Sequence, residues 1–361
     1  MPDGTAPPVR SGVPTIPPKR QSVVGSTRRR REGDRSPLKV SGDLSLPRAL
    51  DTGRWGVTSA QTILDALVRG AEETGFGAHA LHVRAGDAVA EHHWSPDIRR
   101  EVHSIAKGVC VLATGIAADD GLVDVDAPVS TSLPGWTFGA GTDAVTLRHL
   151  LTMTSGVDMP WSETELTDWP DLAAEFLRRP SRGRVFQYAN ASTYTAMRVL
   201  ETRVGDVGEF VSRRLFHPLG IDDVVWQRCS NGFVAGGAGI ALRTEELARF
   251  GRLVRDRGVS AGQRIVGARW CDAMHGDWVE RDGAGPGYER YAMAGWGGPG
   301  RLWRLHGAYG QMLLFGGGGG TGGGTGGDVV VTVTADDHVG ADAFAALVAR
   351  ELEGPLRTTR A

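Results

Sequence analysis

Apolar residues recur with two different periods along this chain. From residue 59 the period is helical. Thr58 or Ser59 can cap a helix running to about Glu73, with Ile63, Leu64 and Leu67 on one face. Two alternating runs, Ala78–Arg84 and Ala88–Trp94, then flank Gly86–Asp87 and read as a strand pair around a turn. A second helix is expected from Ser104, carrying Val109, Val111, Leu112, Ile116 and Ala117 and stopping at Asp119-Asp120-Gly121. Between about 122 and 231 the pattern is helices and loops. Thr146 caps a short helix ending at Gly156, and further helices are expected at 171–178, 192–203 and 207–215.

The strand pattern returns after the Gly236–Gly239 cluster. Thr244 is expected to cap a helix to about Arg257, strands are expected at 291–296, 301–305, 309–315 and 328–334, and a last helix at 341–352. The order predicts an α+β fold: an antiparallel sheet flanked by helices, with a helical subdomain inserted. The sheet subdomain takes about 48–121 and 232–361, the helical one about 122–231. Gly316–Gly327, ten glycines and two threonines, falls between two strand runs. It has no P-loop lysine and no helix directly after it, so it reads as an overlong hairpin loop rather than a phosphate site.

Composition changes this picture at the N-terminus. Residues 1–47 are rich in Pro, Ser, Gly and Arg with no hydrophobic period, and read as a disordered basic tail. Residues 1–40 hold nine Lys or Arg against three acids, a net +6, which leaves −8 on the rest of a chain whose total is −2. An acidic body argues against nucleic-acid binding, except through the tail. Three widely spaced cysteines, Cys110, Cys229 and Cys271, suggest neither a disulfide framework nor a zinc site. No run reaches the roughly 18 apolar residues of a membrane span, and no apolar segment follows the N-terminal arginines as in a secretory signal. The expectation is a cytoplasmic protein with no metal, no cofactor and no membrane partner.

The candidate chemistry starts at Ser104-Ile105-Ala106-Lys107. On a helix, i and i+3 share a face with Cβ atoms roughly 5–6 Å apart, and the positive end of the helix dipole favours developing negative charge. A serine needs a base to become a nucleophile, and lysine can serve where arginine cannot. The chain has three lysines, and Lys19 and Lys39 lie in the tail, so Lys107 is the one lysine of an arginine-rich body. A second copy of the pattern, Ser36–Lys39, lies in the tail with no apolar helix behind it and is given no role. A second element is Tyr188-Ala189-Asn190: the tyrosine could pass the proton to a leaving group, the asparagine could hold the lysine or a substrate carbonyl. A third is His306-Gly307-Ala308-Tyr309, where glycine lets a substrate approach the backbone.

Together these elements resemble the serine β-lactamase and penicillin-binding-protein superfamily, and more narrowly its class C-like branch of esterases, D-amino-acid peptidases and 6-aminohexanoate-dimer hydrolases. The surrounding text is similar too: His103–Gly108, Gly115-Ile116-Ala117, Arg148–Gly156, Phe186–Thr193 and Pro218-Leu219-Gly220-Ile221. The resemblance implies that Ser104 attacks a carbonyl to form an acyl-enzyme and that Lys107 and Tyr188 move the protons. It implies an oxyanion hole from the backbone N–H groups of Ser104 and Tyr309, with Asn190, His306 and Gly307 binding substrate. True β-lactamases carry a lysine where His306 stands. Histidine is mostly neutral at pH 7, which favours a small neutral ester or amide over a β-lactam. Two other readings are a penicillin-binding-like sensor that stays acylated, or a D,D-peptidase or β-lactamase on the same fold, and a protein that binds nucleic acid or a partner through its tail.

Overall fold

The computed structural model describes residues 59–159, 171–298, 300–316 and 329–353. The expected tail at 1–47 and nearly all of the glycine-rich loop lie outside the described residues. The chain opens with α1 (Ala60–Thr74), capped by Ser59, whose hydroxyl accepts from Thr62 N. β1 (Ala78–Ala85) and β2 (Ala88–His93) form the first hairpin. A short β3 (Arg100–Glu101) leads to α2 (Ala106–Asp119). In the span 122–231 the described regular elements are α3 (Leu147–Leu151), α4 (Leu172–Arg178), α5 (Asn190–Val204), α6 (Val207–Val211) and short 3-10 and π turns. Then follow β4 (Ala241–Leu242), α7 (Thr244–Arg255), β5 (Val259–Ser260), β6 (Gln263–Arg264) and α8 (Ala268–Asp272). The chain closes with β7 (Val279–Glu280), β8 (Arg290–Tyr291), β9 (Trp296–Gly297), β10 (Trp303–Gly307), β11 (Gln311–Gly316), β12 (Val329–Ala335) and α9 (Ala341–Glu353).

The main sheet is antiparallel, in the order β2-β1-β12-β11-β10-β9-β8-β7. Both its faces are covered, which is why β11 is buried at every position instead of alternating. Met312 and Leu314 pack with α1 and α9 on one face. Leu313 and Phe315 point the other way, into the core shared by α2, α7 and the helices of the middle span. This is the period-2 rule of a strand read from inside.

Helix α2 is the centre of that larger core. Every residue from Ala106 to Ala117 is buried, as expected of a helix that is apolar all round. Its small residues let neighbours approach. A Cβ at Gly108 would stand 2.9 Å from Leu305 Cδ1, and one at Gly115 only 2.5 Å from Trp270 Cγ. Glycine lowers helix propensity, and here close packing offsets that cost.

Local departures from the expected elements have local causes. The expected strand 291–296 is two short strands, β8 and β9, split by a tight turn in which Ala292 N donates to Gly295 O at 2.9 Å and Ala294 takes φ 68°. Alternation of apolar residues cannot show such a turn. The helix after Thr146 stops at Leu151 rather than Gly156. Thr244 is the first residue of α7 and not its cap; its hydroxyl pairs with Thr334 at 2.8 Å and ties α7 to β12. The helix from 207 ends at Val211 and continues as a π turn over Ser212–Phe216. Among the described residues no helix is long and apolar enough to cross a membrane.

Candidate active site

Ser104 sits in a 3-10 turn, His103–Ile105, that runs directly into α2. The turn begins at His103 in the left-handed region, φ 49°. Lys107 is the second residue of α2, one turn on from Ser104, and is 1 % exposed. Its Nζ lies 3.0 Å from Ser104 Oγ, 2.7 Å from Asn190 Oδ1 and 3.0 Å from the carbonyl of Gly237. Among the described residues no carboxylate pairs with it. Two of the three partners are acceptors only. Nζ donates to both of these, and to Ser104 Oγ as the third.

Asn190 reaches the lysine because it opens α5. Of its two expected roles, holding the lysine is the one this geometry displays. Tyr188 lies just before α5, its ring centroid 4.8 Å from Lys107 Nζ. Among the described residues the Tyr188 hydroxyl makes no hydrogen bond; its ring packs on Trp296 at 5.2 Å and Tyr291 at 5.9 Å. Gly237 is the site residue that sequence reasoning missed. A Cβ there would stand 2.9 Å from Lys107 Nζ and 2.8 Å from Asn190 Oδ1. Only the Gly236–Gly239 cluster hinted at it, and a cluster that breaks a helix pattern looks the same as one that admits a side chain.

The third element arrives from β10. A Cβ at Gly307 would be 2.2 Å from Val102 O and 3.2 Å from His103 Cβ, so glycine here lets β10 press against the turn that carries Ser104. Tyr309 follows in another left-handed turn, φ 60°, with its ring 5.2 Å from that of His103. Non-glycine residues at such angles are costly and cluster at functional sites. Here one of them directly precedes Ser104 and the other is Tyr309, the two residues whose N–H groups are the expected oxyanion donors.

A family model described as Beta-lactamase matches residues 64–352. The chain belongs to the beta-lactamase family. This beta-lactamase-family hydrolase is 28% identical over 263 residues to the 6-aminohexanoate-dimer hydrolase of Paenarthrobacter ureafaciens, a match covering 63% of this chain and 67% of that protein. Its fold is similar to the class C beta lactamase from Rhodobacter sphaeroides, with TM-score 0.63 and 15% identity over 81% of this chain and 98% of the other. It is also similar to the octameric penicillin-binding protein homologue from Pyrococcus abyssi, with TM-score 0.58 and 16% identity over 81% and 77% of the two chains.

His306 gives this beta-lactamase-family site a particular electrostatic character. Burial first, and then the charge of Arg304, push its pKa down to about 3, so the ring is neutral at physiological pH. Its Nδ1 lies 2.9 Å from the Tyr288 hydroxyl, which donates to Asp342 Oδ1 at 3.0 Å. Arg304, 4 % exposed, donates to the same carboxylate oxygen at 2.9 Å. A hydroxyl that gives its proton to Asp342 accepts from Nδ1–H, which assigns the ring proton to Nδ1 and leaves Nε2 an acceptor. Tyr288 and Asp342 carried no sequence signal; they lie 18 and 36 residues from His306 in the chain and meet it only in the fold. Among the described residues no cluster of His, Cys, Asp or Glu could hold a metal ion.

Proposed function

We propose that the protein hydrolyses small amides or esters through an acyl-enzyme on Ser104. The observation that carries this is the buried Lys107 Nζ at 3.0 Å from Ser104 Oγ, held by Asn190 and Gly237. In this reading Lys107 takes the serine proton as Ser104 attacks the carbonyl. The N–H groups of Ser104 and Tyr309 hold the oxyanion; each such donor supplies about 2.7–4 kcal/mol in other hydrolases. Tyr188, against Lys107, passes the proton to the leaving amine or alcohol. Water then releases the acyl group from Ser104 by the reverse route.

The neutral His306 offers no charge for a substrate carboxylate at the position where β-lactamases use a cation, which favours linear amides and neutral esters over β-lactams. A similarity to a 6-aminohexanoate-dimer hydrolase supports the amide choice. The test is to incubate purified protein with p-nitrophenyl esters, nitrocefin and 6-aminohexanoate dimer, and to trap the adduct by mass spectrometry. We expect turnover of an ester or the linear amide and an acyl mass on the Ser104 peptide. Turnover that persists in Ser104→Ala overturns the reading.

A further inference from the structure

Four side chains from three parts of the chain meet beside the third motif. Arg304 and His306 are two apart on β10, and so on one face of the strand. Asp342 is in the first turn of α9, and Tyr288 lies in the loop before β8. Asp342 Oδ1 accepts twice, from the Tyr288 hydroxyl at 3.0 Å and from Arg304 Nη2 at 2.9 Å. The Tyr288 ring stacks on that of His306, with centroids 5.8 Å apart, and the Arg304 guanidinium lies over it at 4.5 Å. The hydroxyl is thus held between the Asp342 carboxylate and His306 Nδ1, which is 2.9 Å away.

This chain of hydrogen bonds has a direction. The hydroxyl has one proton, and a bond to an ionised carboxylate is roughly twice as strong as one to a neutral ring nitrogen. Burial holds the Tyr288 pKa up at about 12, so the hydroxyl keeps its proton near neutral pH. With that proton given to Asp342, the oxygen can only accept from Nδ1–H. A neutral imidazole carries one ring proton, so Nε2 keeps its lone pair. Among the described residues Nε2 has no hydrogen bond, and His306 is partly exposed. Gly307, next on the strand, presses on the turn that carries Ser104, so His306 is one residue from direct contact with that turn.

We propose that Tyr288 and Asp342 are positioning residues that act through His306: they hold its ring proton on Nδ1, so that Nε2 meets the substrate as a hydrogen-bond acceptor. This rests on the hydrolase reading above and adds two residues and a polarity to it. Where a lysine would donate to the substrate, this ring accepts.

Two measurements test it. Nitrogen-15 spectra of the labelled protein, with His306→Gln to assign the ring, read which nitrogen carries the proton. Wild type should show Nδ1–H. Tyr288→Phe keeps the aromatic packing and removes the acceptor. A neutral imidazole left to itself favours Nε2–H, so in this variant the proton should move to Nε2. The second measurement is kcat and KM on the best ester or amide found, for wild type, Tyr288→Phe, His306→Gln and the double variant. Tyr288→Phe should raise KM about 5–100-fold, the range for a polar group left without its partner, and change kcat less. A glutamine can turn its oxygen to the substrate without help from residue 288. In the His306→Gln background, Tyr288→Phe should therefore change KM by less than about twofold, because the two residues act as one unit. Asp342→Asn keeps an oxygen for Tyr288 but not the charge, and should shift both readouts in the same sense but less far. A wild-type ring with its proton on Nε2 overturns the proposal. So does a Tyr288→Phe effect that is equal with and without the His306 ring, which is what a purely structural role gives. If wild type turns over no ester or amide, the hydrolase reading fails and the spectra alone decide. A proton on Nδ1 that moves to Nε2 in Tyr288→Phe then supports the positioning role, and any other pattern rejects it.

Discussion

Lys107 touches three oxygens, and only Ser104 Oγ among them can also give a proton. This asymmetry makes a test. Arginine keeps the charge and roughly the reach but cannot act as the base. Lys107→Arg should lose most of the ~10²–10⁴-fold that general-base catalysis supplies. Ser104→Ala should lose a similar amount and the double variant little more, because base and nucleophile act as a unit. The measurement is kcat/KM on the best substrate found, with folding checked by circular dichroism. A folded Lys107→Arg enzyme within about threefold of wild type, far short of the general-base range, would falsify the mechanism. His306 offers a second residue-scale test. A lysine there restores a permanent cation, so His306→Lys should raise nitrocefin turnover relative to p-nitrophenyl acetate. An unchanged ratio places residue 306 away from the acyl-side carboxylate.

Two glycines decide how elements meet, and their neighbours differ in stiffness. At Gly307 the added Cβ meets a backbone carbonyl, Val102 O, at 2.2 Å. Neither β10 nor the serine turn can yield without moving Ser104. Gly307→Ala should destabilise by about 1–3 kcal/mol, as overpacking does. It should also lower kcat by about 10²-fold, the cost of a misplacement on the order of 1 Å. At Gly237 the added Cβ meets the ends of side chains, Lys107, Asn190 and Thr193. These can swing away, so Gly237→Ala should keep more of its melting temperature and still lose activity, because the group that swings is the proposed base. Thermal melts beside kinetics on both variants separate the two cases; equal melting losses would contradict the distinction. At this scale the strand and helix periods were legible in the sequence. The turn that splits β8 from β9 was not, because Gly295 is required by a contact with Met274 O at 1.8 Å from its absent Cβ, in another part of the chain.

At the scale of the whole molecule, six of the ten histidines share one behaviour. His79, His82, His103, His149, His275 and His306 all have lowered pKa, with burial as the largest cause in each. The unfolded chain therefore binds protons near the usual histidine value of about 6.5 that the folded chain refuses. By linkage the stability they contribute is present above that value and is lost as pH falls below it. For His306 the loss continues down to its folded pKa of about 3. The melting temperature should drop steadily from pH 7 to pH 5, before most carboxylates titrate. Calorimetry across that range checks it, and a flat profile would contradict it. Replacing His82, the buried member on β1, with Gln should flatten the slope in part.

What the sequence by itself determined is what lies within one turn or one strand of itself. Ser104 and Lys107 lie one turn apart because i and i+3 do so on a helix, and the single lysine of an arginine-rich body marks the candidate base. The order of strand and helix periods was enough for an α+β fold with a covered antiparallel sheet. The tertiary structure alone decided the partners. Asn190 and Gly237 meet Lys107 across 83 and 130 residues of chain. Tyr288, in the loop before β8, and Asp342, on α9, meet at His306, and Arg281 packs on Phe186 and Trp296. Periodicity records which face a residue shows, since that is fixed by local backbone geometry. It does not record what that face meets, because that depends on how distant segments pack.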